Sequence, residues 1–171
     1  MLYLAQTDTT AGFLSKDERE INKAKGRALQ TPCILTMSSL KELVSLVRVP
    51  KAHKNLVRKA KKTSFIYKNA FNSCDFNKPL SVNLKDKPLQ MSAKNGFLAC
   101  RVVKDCAHAE FLREFGAFFS SSANLHGQAF SEQIARQITL QNGGQIIDES
   151  LFSGAPSALI KLYRHKKVKI R

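Results

Sequence analysis

No stretch of this chain holds the roughly 18 to 20 consecutive apolar residues that cross a bilayer, so the sequence reads without a membrane span. Met1 to Ala5 is a short apolar run that passes directly into polar Gln6-Thr7-Asp8. It has neither the basic flank nor the length of an export signal, and a cytoplasmic location is the expectation. Cys33, Cys74, Cys100 and Cys106 form no C-x-x-C pair, and no histidine cluster accompanies them. A structural zinc site therefore has little support, and the thiols read as buried groups of a reducing compartment. Gly143-Gly144 is not part of a G-x-x-x-x-G-K-[ST] loop, which excludes a P-loop. His108 and His126 stand in no catalytic arrangement with a serine or cysteine, and read as surface histidines. Neither a repeat nor a low-complexity linker divides the chain, so residues 1–171 are expected to form one domain.

Acidic residues are also in short supply: 13 Asp and Glu face 28 Lys and Arg, a formal net charge of +15. Such an excess concentrates anions and points to phosphate-bearing partners. Charge alone does not separate RNA, ATP and anionic lipid. The 43% hydrophobic fraction is enough for a folded core.

Apolar runs and helical patterns alternate along the chain. Leu2 to Ala5 reads as a strand ending in a polar turn through Thr10, and Ser15-Lys16-Asp17-Glu18 opens a helix with a capping-box pattern that Gly26 stops. Pro32 to Met37 is strand-like. Ser38-Ser39 caps a helix whose apolar face is Leu40, Leu43, Val44 and Val47. Pro50 begins a basic helix extending to Lys62. Ser64 to Tyr67 and Leu80 to Leu84 read as strands, with turn composition from Asn69 to Pro79. Gly96 to Val103 is the clearest buried strand, and Arg101 sits inside it. Helices follow from Cys106 to Phe115 and from Ser131 to Ile138, and strands at Ala117 to Phe119, Gln145 to Ile147, Ala158 to Tyr163 and Val168 to Ile170. This interleaving predicts a mixed sheet covered by helices, an α+β (mixed α/β) fold.

Three polar clusters follow apolar runs or helix ends, where such folds expose chemistry. They are Thr7-Asp8-Thr9, Lys25-Gly26-Arg27 and Ser120-Ser121-Ser122-Ala123-Asn124. Lys25 and Arg27 straddle a glycine, which suits two cations presented to a polyphosphate; the same residues would also complement a helix dipole. The serine run suits either ligand orientation or a turn with a helix cap. Arg101 must pair with a carboxylate, reach solvent or meet an anionic ligand. Asp8 suits a base or magnesium ligand, with a loop-capping aspartate the favoured alternative.

The order of these clusters resembles the YrdC-like family. Thr7-Asp8-Thr9-Thr10-Ala11-Gly12-Phe13 is similar to its P-T-[DE]-T-x-Y-G-L opening, and Lys25-Gly26-Arg27 with Pro32 to its K-x-R-P-x-x-x-P-L segment. Cys100-Arg101-Val102-Val103 resembles its V-R-x-P strand, Ser121-Ser122-Ala123-Asn124-Leu125-His126-Gly127 its T-S-A-N-x-S-G loop, and Ser153 to Ala158 its S-G-x-x-S-T turn. Lys169-Ile170-Arg171 sits where the family ends with I-L-R. The departures are Gln6 and Ala11 for the proline and tyrosine of the opening, Ala60 to Ser64 for P-G-P-x-T, and Ala158 in the late turn.

The resemblance implies a YrdC/RibB-like three-layer fold around a basic concavity. It also implies synthesis of L-threonylcarbamoyladenylate and pyrophosphate from L-threonine, bicarbonate and ATP, with Mg2+ accompanying ATP, for tRNA threonylcarbamoyladenosine modification by a downstream tRNA threonylcarbamoyl transferase machinery. By position, Lys25, Arg27, Thr31, Asn124 and Arg171 would contact ATP. Thr9, Arg101, Ser122 and Ser157 would hold threonine, and Lys25, Arg27, Ser122 and Asn124 would carry catalysis. The alternative is a catalytically reduced relative that binds tRNA or double-stranded RNA through Lys51 to Lys62 and the tail from Lys161 to Arg171.

Overall fold

The computed structural model describes residues 1–68 and 97–171; the readings at Asn69 to Pro79 and at Leu80 to Leu84, Cys74, and Gly96 lie outside them. Among the described residues, nine strands make one sheet: β1 Tyr3–Gln6, β2 Ala11–Ser15, β3 Ile34–Met37, β4 Thr63–Lys68, β5 Phe97–Val102, β6 Phe118–Ser122, β7 Gln145–Ile146, β8 Ala158–Leu162 and β9 Lys167–Lys169. The same residues hold the α-helices α1 Glu18–Ala24, α2 Leu40–Leu46, α3 Lys54–Lys59, α4 Ala107–Phe115 and α5 Glu132–Gln141. The strand order is β7-β1-β2-β6-β3-β5-β4-β8-β9. β1–β7, β3–β5 and β4–β8 run parallel and the other pairs antiparallel, so the sheet is mixed, as the interleaved pattern predicts.

The layers follow from the two-residue period of the strands. Leu4, Phe13 and Phe119 join one buried cluster with Ile21 of α1, Leu43 and Leu46 of α2, Val57 of α3 and Ala135 of α5. Their chain neighbours Ala5, Leu14 and Phe118 join a second cluster with Ala109 and Leu112 of α4. Adjacent residues on a strand point to opposite faces, so α4 covers one face and the other helices cover its reverse. That is a three-layer arrangement.

Several local readings change. β2 falls between the turn ending at Thr10 and the helix opening at Ser15, on residues to which the sequence reading gave no element. All five of its residues are buried, and a strand covered on both faces has no polar alternation to reveal it. Ser15 ends that strand, and the cap of α1 is Asp17, whose side chain accepts from Arg19 N–H at 2.9 Å. The basic helix is shorter than predicted. A 3-10 turn at Lys51–His53 leads into α3, whose C-cap Ala60 is extended, and Lys62 adopts φ +49°. On α2 the capping box at Ser39 and Glu42 forms, but Val44 is 60% exposed, and Leu43, Leu46 and Val47 make the buried face.

Among the described residues, no helix is long and apolar enough to cross a membrane. Phe13 is fully buried on β2, an interior strand between β1 and β6. Phe13→Ala is expected to lower the unfolding free energy by about 3–5 kcal/mol in a urea titration. A loss below about 1 kcal/mol would show that this strand does not carry the core.

Candidate functional site

The end of α1 and the end of β6 meet through one buried ammonium. Lys25 is only 3% exposed. Its Nζ donates to the Ser122 carbonyl at 2.5 Å, to the Asn124 carbonyl, and to Asn124 Oδ1 at 3.1 Å. An ammonium has three N–H donors, and each has an acceptor here. Burial, with the charge of Arg27 second, pushes Lys25 down to about 8, so the charge is present at neutral pH and is lost as pH rises past that value. Gly26 takes φ +63°, a left-handed turn that favours glycine and lets the chain reverse after the helix. His126 N–H donates to the Lys25 carbonyl at 3.1 Å, a second tie between the same segments.

Arg27 is held from behind. Its Nε donates to Asn22 Oδ1 at 2.6 Å and Nη2 to Cys33 Sγ at 3.1 Å. Asn22, fully buried on α1, also donates to the Leu29 and Thr31 carbonyls at 2.6 and 2.9 Å. It therefore fixes both the arginine and the loop after it. Burial pushes the Cys33 thiol up to about 11, so it meets Arg27 as a neutral thiol. Thr31 turns its hydroxyl onto the Ala28 carbonyl at 2.7 Å. On the facing loop, Ser122 Oγ donates to Asn124 Oδ1 at 2.6 Å, while Asn124 Nδ2 donates to the Gln128 carbonyl at 2.6 Å. Ser122 is exposed and Arg27, Thr31 and Asn124 are partly exposed, so this half of the site opens outward around a buried cation.

The other half is closed. Arg101 is 4% exposed; it donates from Nη1 to Thr9 Oγ1 at 3.2 Å, and its Nη2 lies 3.1 Å from Asp8 Oδ1. Burial pushes the Asp8 carboxyl up, yet the group is held below its usual range, with the permanent charge of the Arg101 guanidinium beside it. Ser157, buried before β8, exchanges a hydrogen bond with Ser64 Oγ at 3.1 Å. Its carbonyl accepts from exposed Arg171 Nε at 3.2 Å. Gly154 lies so close to the Thr9 carbonyl that a Cβ would sit 1.9 Å from its oxygen. The late turn is thus packed onto the first one through a position that needs glycine.

Ala11 joins the halves. Its N–H donates to the Phe152 carbonyl at 3.0 Å and its carbonyl accepts from Ala123 N–H at 2.9 Å. Gly12 then pairs in register with Ser122. The late turn and the serine loop are therefore fastened to opposite sides of one residue on β2.

Four contributors escaped the sequence reading. Asp8 is the carboxylate that an arginine inside an apolar strand demands, yet it read as a base or magnesium ligand or, in preference, a loop cap, and not as the partner of Arg101. His108 read as a surface histidine and is 3% exposed; its place on the same helical side as Leu112 is the signal that would have found it. Asn22 and Ser64 carry no sequence signal beyond their positions on a helix and a strand. His126 is exposed, as read. Cys33 and Cys100 are buried and Cys106 partly so. Among the described residues, no three His, Cys, Asp or Glu side chains are grouped to hold a metal ion.

Comparison with known proteins gives a consistent result. The family model Sua5_yciO_yrdC, described as telomere recombination, matches residues 7–171. Among solved structures, P. abyssi Sua5 complexed with L-threonine is 21% identical with a TM-score of 0.74, covering 99% of this chain and 49% of that one. E. coli YciO is 19% identical, with a TM-score of 0.74, covering 99% and 82%. The MTH1692 protein of Methanobacterium thermoautotrophicum is 17% identical, with a TM-score of 0.66, covering 99% and 79%. The chain spans about half the length of the P. abyssi protein. No curated protein sequence matches it.

Lys25→Met keeps the stem and removes the ammonium, and with it three hydrogen bonds to the loop after β6. We expect a stability loss of about 1–3 kcal/mol and faster amide hydrogen exchange over residues 122–126. Unchanged exchange there would show that Lys25 does not hold the loop.

Proposed function

This chain belongs to the Sua5–YciO–YrdC family, and on that premise we propose that it is an L-threonylcarbamoyladenylate synthase acting in tRNA threonylcarbamoyladenosine modification. The observation that carries the reading is the division of the site. A closed half with Arg101 and Thr9 suits a small zwitterion, and an open half around Lys25, Arg27 and Asn124 suits a nucleotide; both are tied to Ala11.

The chemistry asked of these residues is electrostatic. The threonine amine condenses with bicarbonate: a C–N bond forms, a C–O bond of bicarbonate breaks, water leaves with the amine proton, and a carbamate results. A carbamate oxygen then attacks the α-phosphorus of ATP, the bond to the bridging oxygen breaks, and pyrophosphate leaves. Nucleophile and electrophile are both anionic, so fixed cations and correct positioning supply most of the acceleration. Arg101 and Thr9 receive threonine, with Ser122 and Ser157 at the borders of its pocket. Arg27, Thr31, Asn124 and Arg171 receive ATP. Lys25 adds buried positive charge beneath the triphosphate while holding the loop that orients it. Mg2+ would accompany ATP and screen its phosphates; among the described residues no cluster of carboxylates is grouped to hold it. The product passes to a downstream tRNA threonylcarbamoyl transferase machinery, and a cytoplasmic setting suits that role.

A second reading, tRNA or double-stranded RNA binding, is favoured by the distribution of charge. Residues 43–68 and 150–171 contain lysine and arginine but no aspartate or glutamate. They supply α3, β4, β8 and β9, at one end of the sheet. Phosphate contacts dominate such binding and weaken with salt. The two readings are compatible in an enzyme of a tRNA pathway.

Purified protein given labelled L-threonine, bicarbonate and ATP is expected to release pyrophosphate only when threonine is present. Arg27→Ala is expected to cut the rate roughly 100-fold or more. Threonine-independent release that survives this change would contradict the assignment.

A further inference from the structure

Behind the closed half of the site lies a buried histidine that the proposed chemistry leaves unused. His108 on α4 has a side chain 1% exposed, and its Nδ1 stands 3.8 Å from Asp8 Oδ1, an ion-pair separation beyond hydrogen-bond reach. The same Asp8 oxygen is 3.1 Å from Arg101 Nη2. Among the described residues, neither ring nitrogen of His108 has a hydrogen-bond partner, and nor does Arg101 Nε. Two cation-forming groups thus converge on one buried carboxylate oxygen, each with donor capacity unspent.

Charge bookkeeping gives this geometry a consequence. With His108 neutral, Asp8 cancels Arg101, and an incoming carboxylate meets a pocket of no net charge. With a proton on His108 Nδ1, Asp8 has a second partner and the cluster carries one positive charge. We propose that His108 is a positioning residue that shares Asp8 with Arg101, so that binding a small carboxylate ligand at Arg101 takes up one proton at His108. One negative carboxylate enters, one proton from solvent binds, and the cluster stays neutral throughout. The proton lets His108 hold Asp8 and turns the unspent donors of Arg101 to the ligand. The inference rests on the reading that Arg101 receives the carboxylate of threonine.

The surroundings agree with a histidine that is neutral in the empty site. The charged groups facing it are Asp8 from the β1–β2 turn, Arg101 from β5 and Asp148 after β7. Asp148 is already engaged, since its Oδ2 accepts from Gln6 N–H at 2.7 Å. Burial pushes His108 below its ordinary value, and the two carboxylates do not offset that shift. A ligand that occupies Arg101 competes with Asp8 for it and raises the proton affinity of His108. By linkage, ligand affinity then rises as pH falls through the titration of that group.

The test follows the His108 ring resonances by NMR from pH 8 to 5, assigned against His108→Gln, with and without saturating L-threonine. Calorimetry measures the threonine Kd over the same range. We expect threonine to raise the His108 midpoint by about one unit or more, with affinity tightening toward a limit of roughly tenfold per pH unit. His108→Gln should bind with little pH dependence. Asp8→Asn, where it folds, should lose that dependence and bind more tightly at pH 8. A plain carboxylate, lactate, serves as the second probe. If lactate moves the His108 midpoint and threonine does not, the proton coupling stands and the threonine assignment falls. If neither moves it, or if His108→Gln keeps the wild-type pH slope, the inference is overturned.

Discussion

A lysine ammonium buried against three oxygens is the constraint on which the site depends. Taking that charge out of water is tolerable only while each N–H keeps an acceptor, and all three acceptors belong to Ser122 and Asn124. The end of α1 and the loop after β6 therefore take up one relative placement. Gly26 makes the turn that brings Lys25 there, and Asn22 holds Arg27 beside it. The cations are bound into the fold before any ligand arrives, which is the condition for electrostatic stabilisation without reorganisation.

Ala11 extends that constraint across the site with two backbone hydrogen bonds, one to each flanking loop. A side chain at position 11 contributes little to this, so the tyrosine of the related motif can give way to alanine without breaking the frame. Gly154 is the opposite case. Its close approach to the Thr9 carbonyl leaves no space for a Cβ, so the late turn keeps its place only with glycine there. Around this frame, the closed half handles its charge by ion pairing, and the open half by hydrogen bonds from Lys25 to neutral oxygens and by the partial exposure of Arg27.

The fold class was legible in the interleaving of strand-like and helical runs, and the candidate site in part, as polar clusters that the structure brings together. Thr9, Lys25, Arg27, Ser122 and Asn124 stand in short polar clusters between apolar runs, where residue type alone signals chemistry, and Arg101 stood out as a charge in an apolar strand. Of those, Lys25 meets Ser122 and Asn124, and Arg101 meets Thr9. What escaped notice is what depends on three-dimensional neighbours. β2 has no alternation because both its faces are covered, and Asp8 and His108 gain meaning only from the turn and the helix that bring them to Arg101. The 3-10 turn before α3 likewise shortens a helix that composition alone would have continued.

The central claim is that one frame holds a carboxylate-bearing amino acid and a nucleotide side by side. Calorimetry with L-threonine and a non-hydrolysable ATP analogue, separately and then together, tests it most directly. The account predicts that each binds with one-to-one stoichiometry and that saturation with either tightens the other. Independent binding of the two, or nucleotide binding with no heat from threonine in its presence, would contradict it.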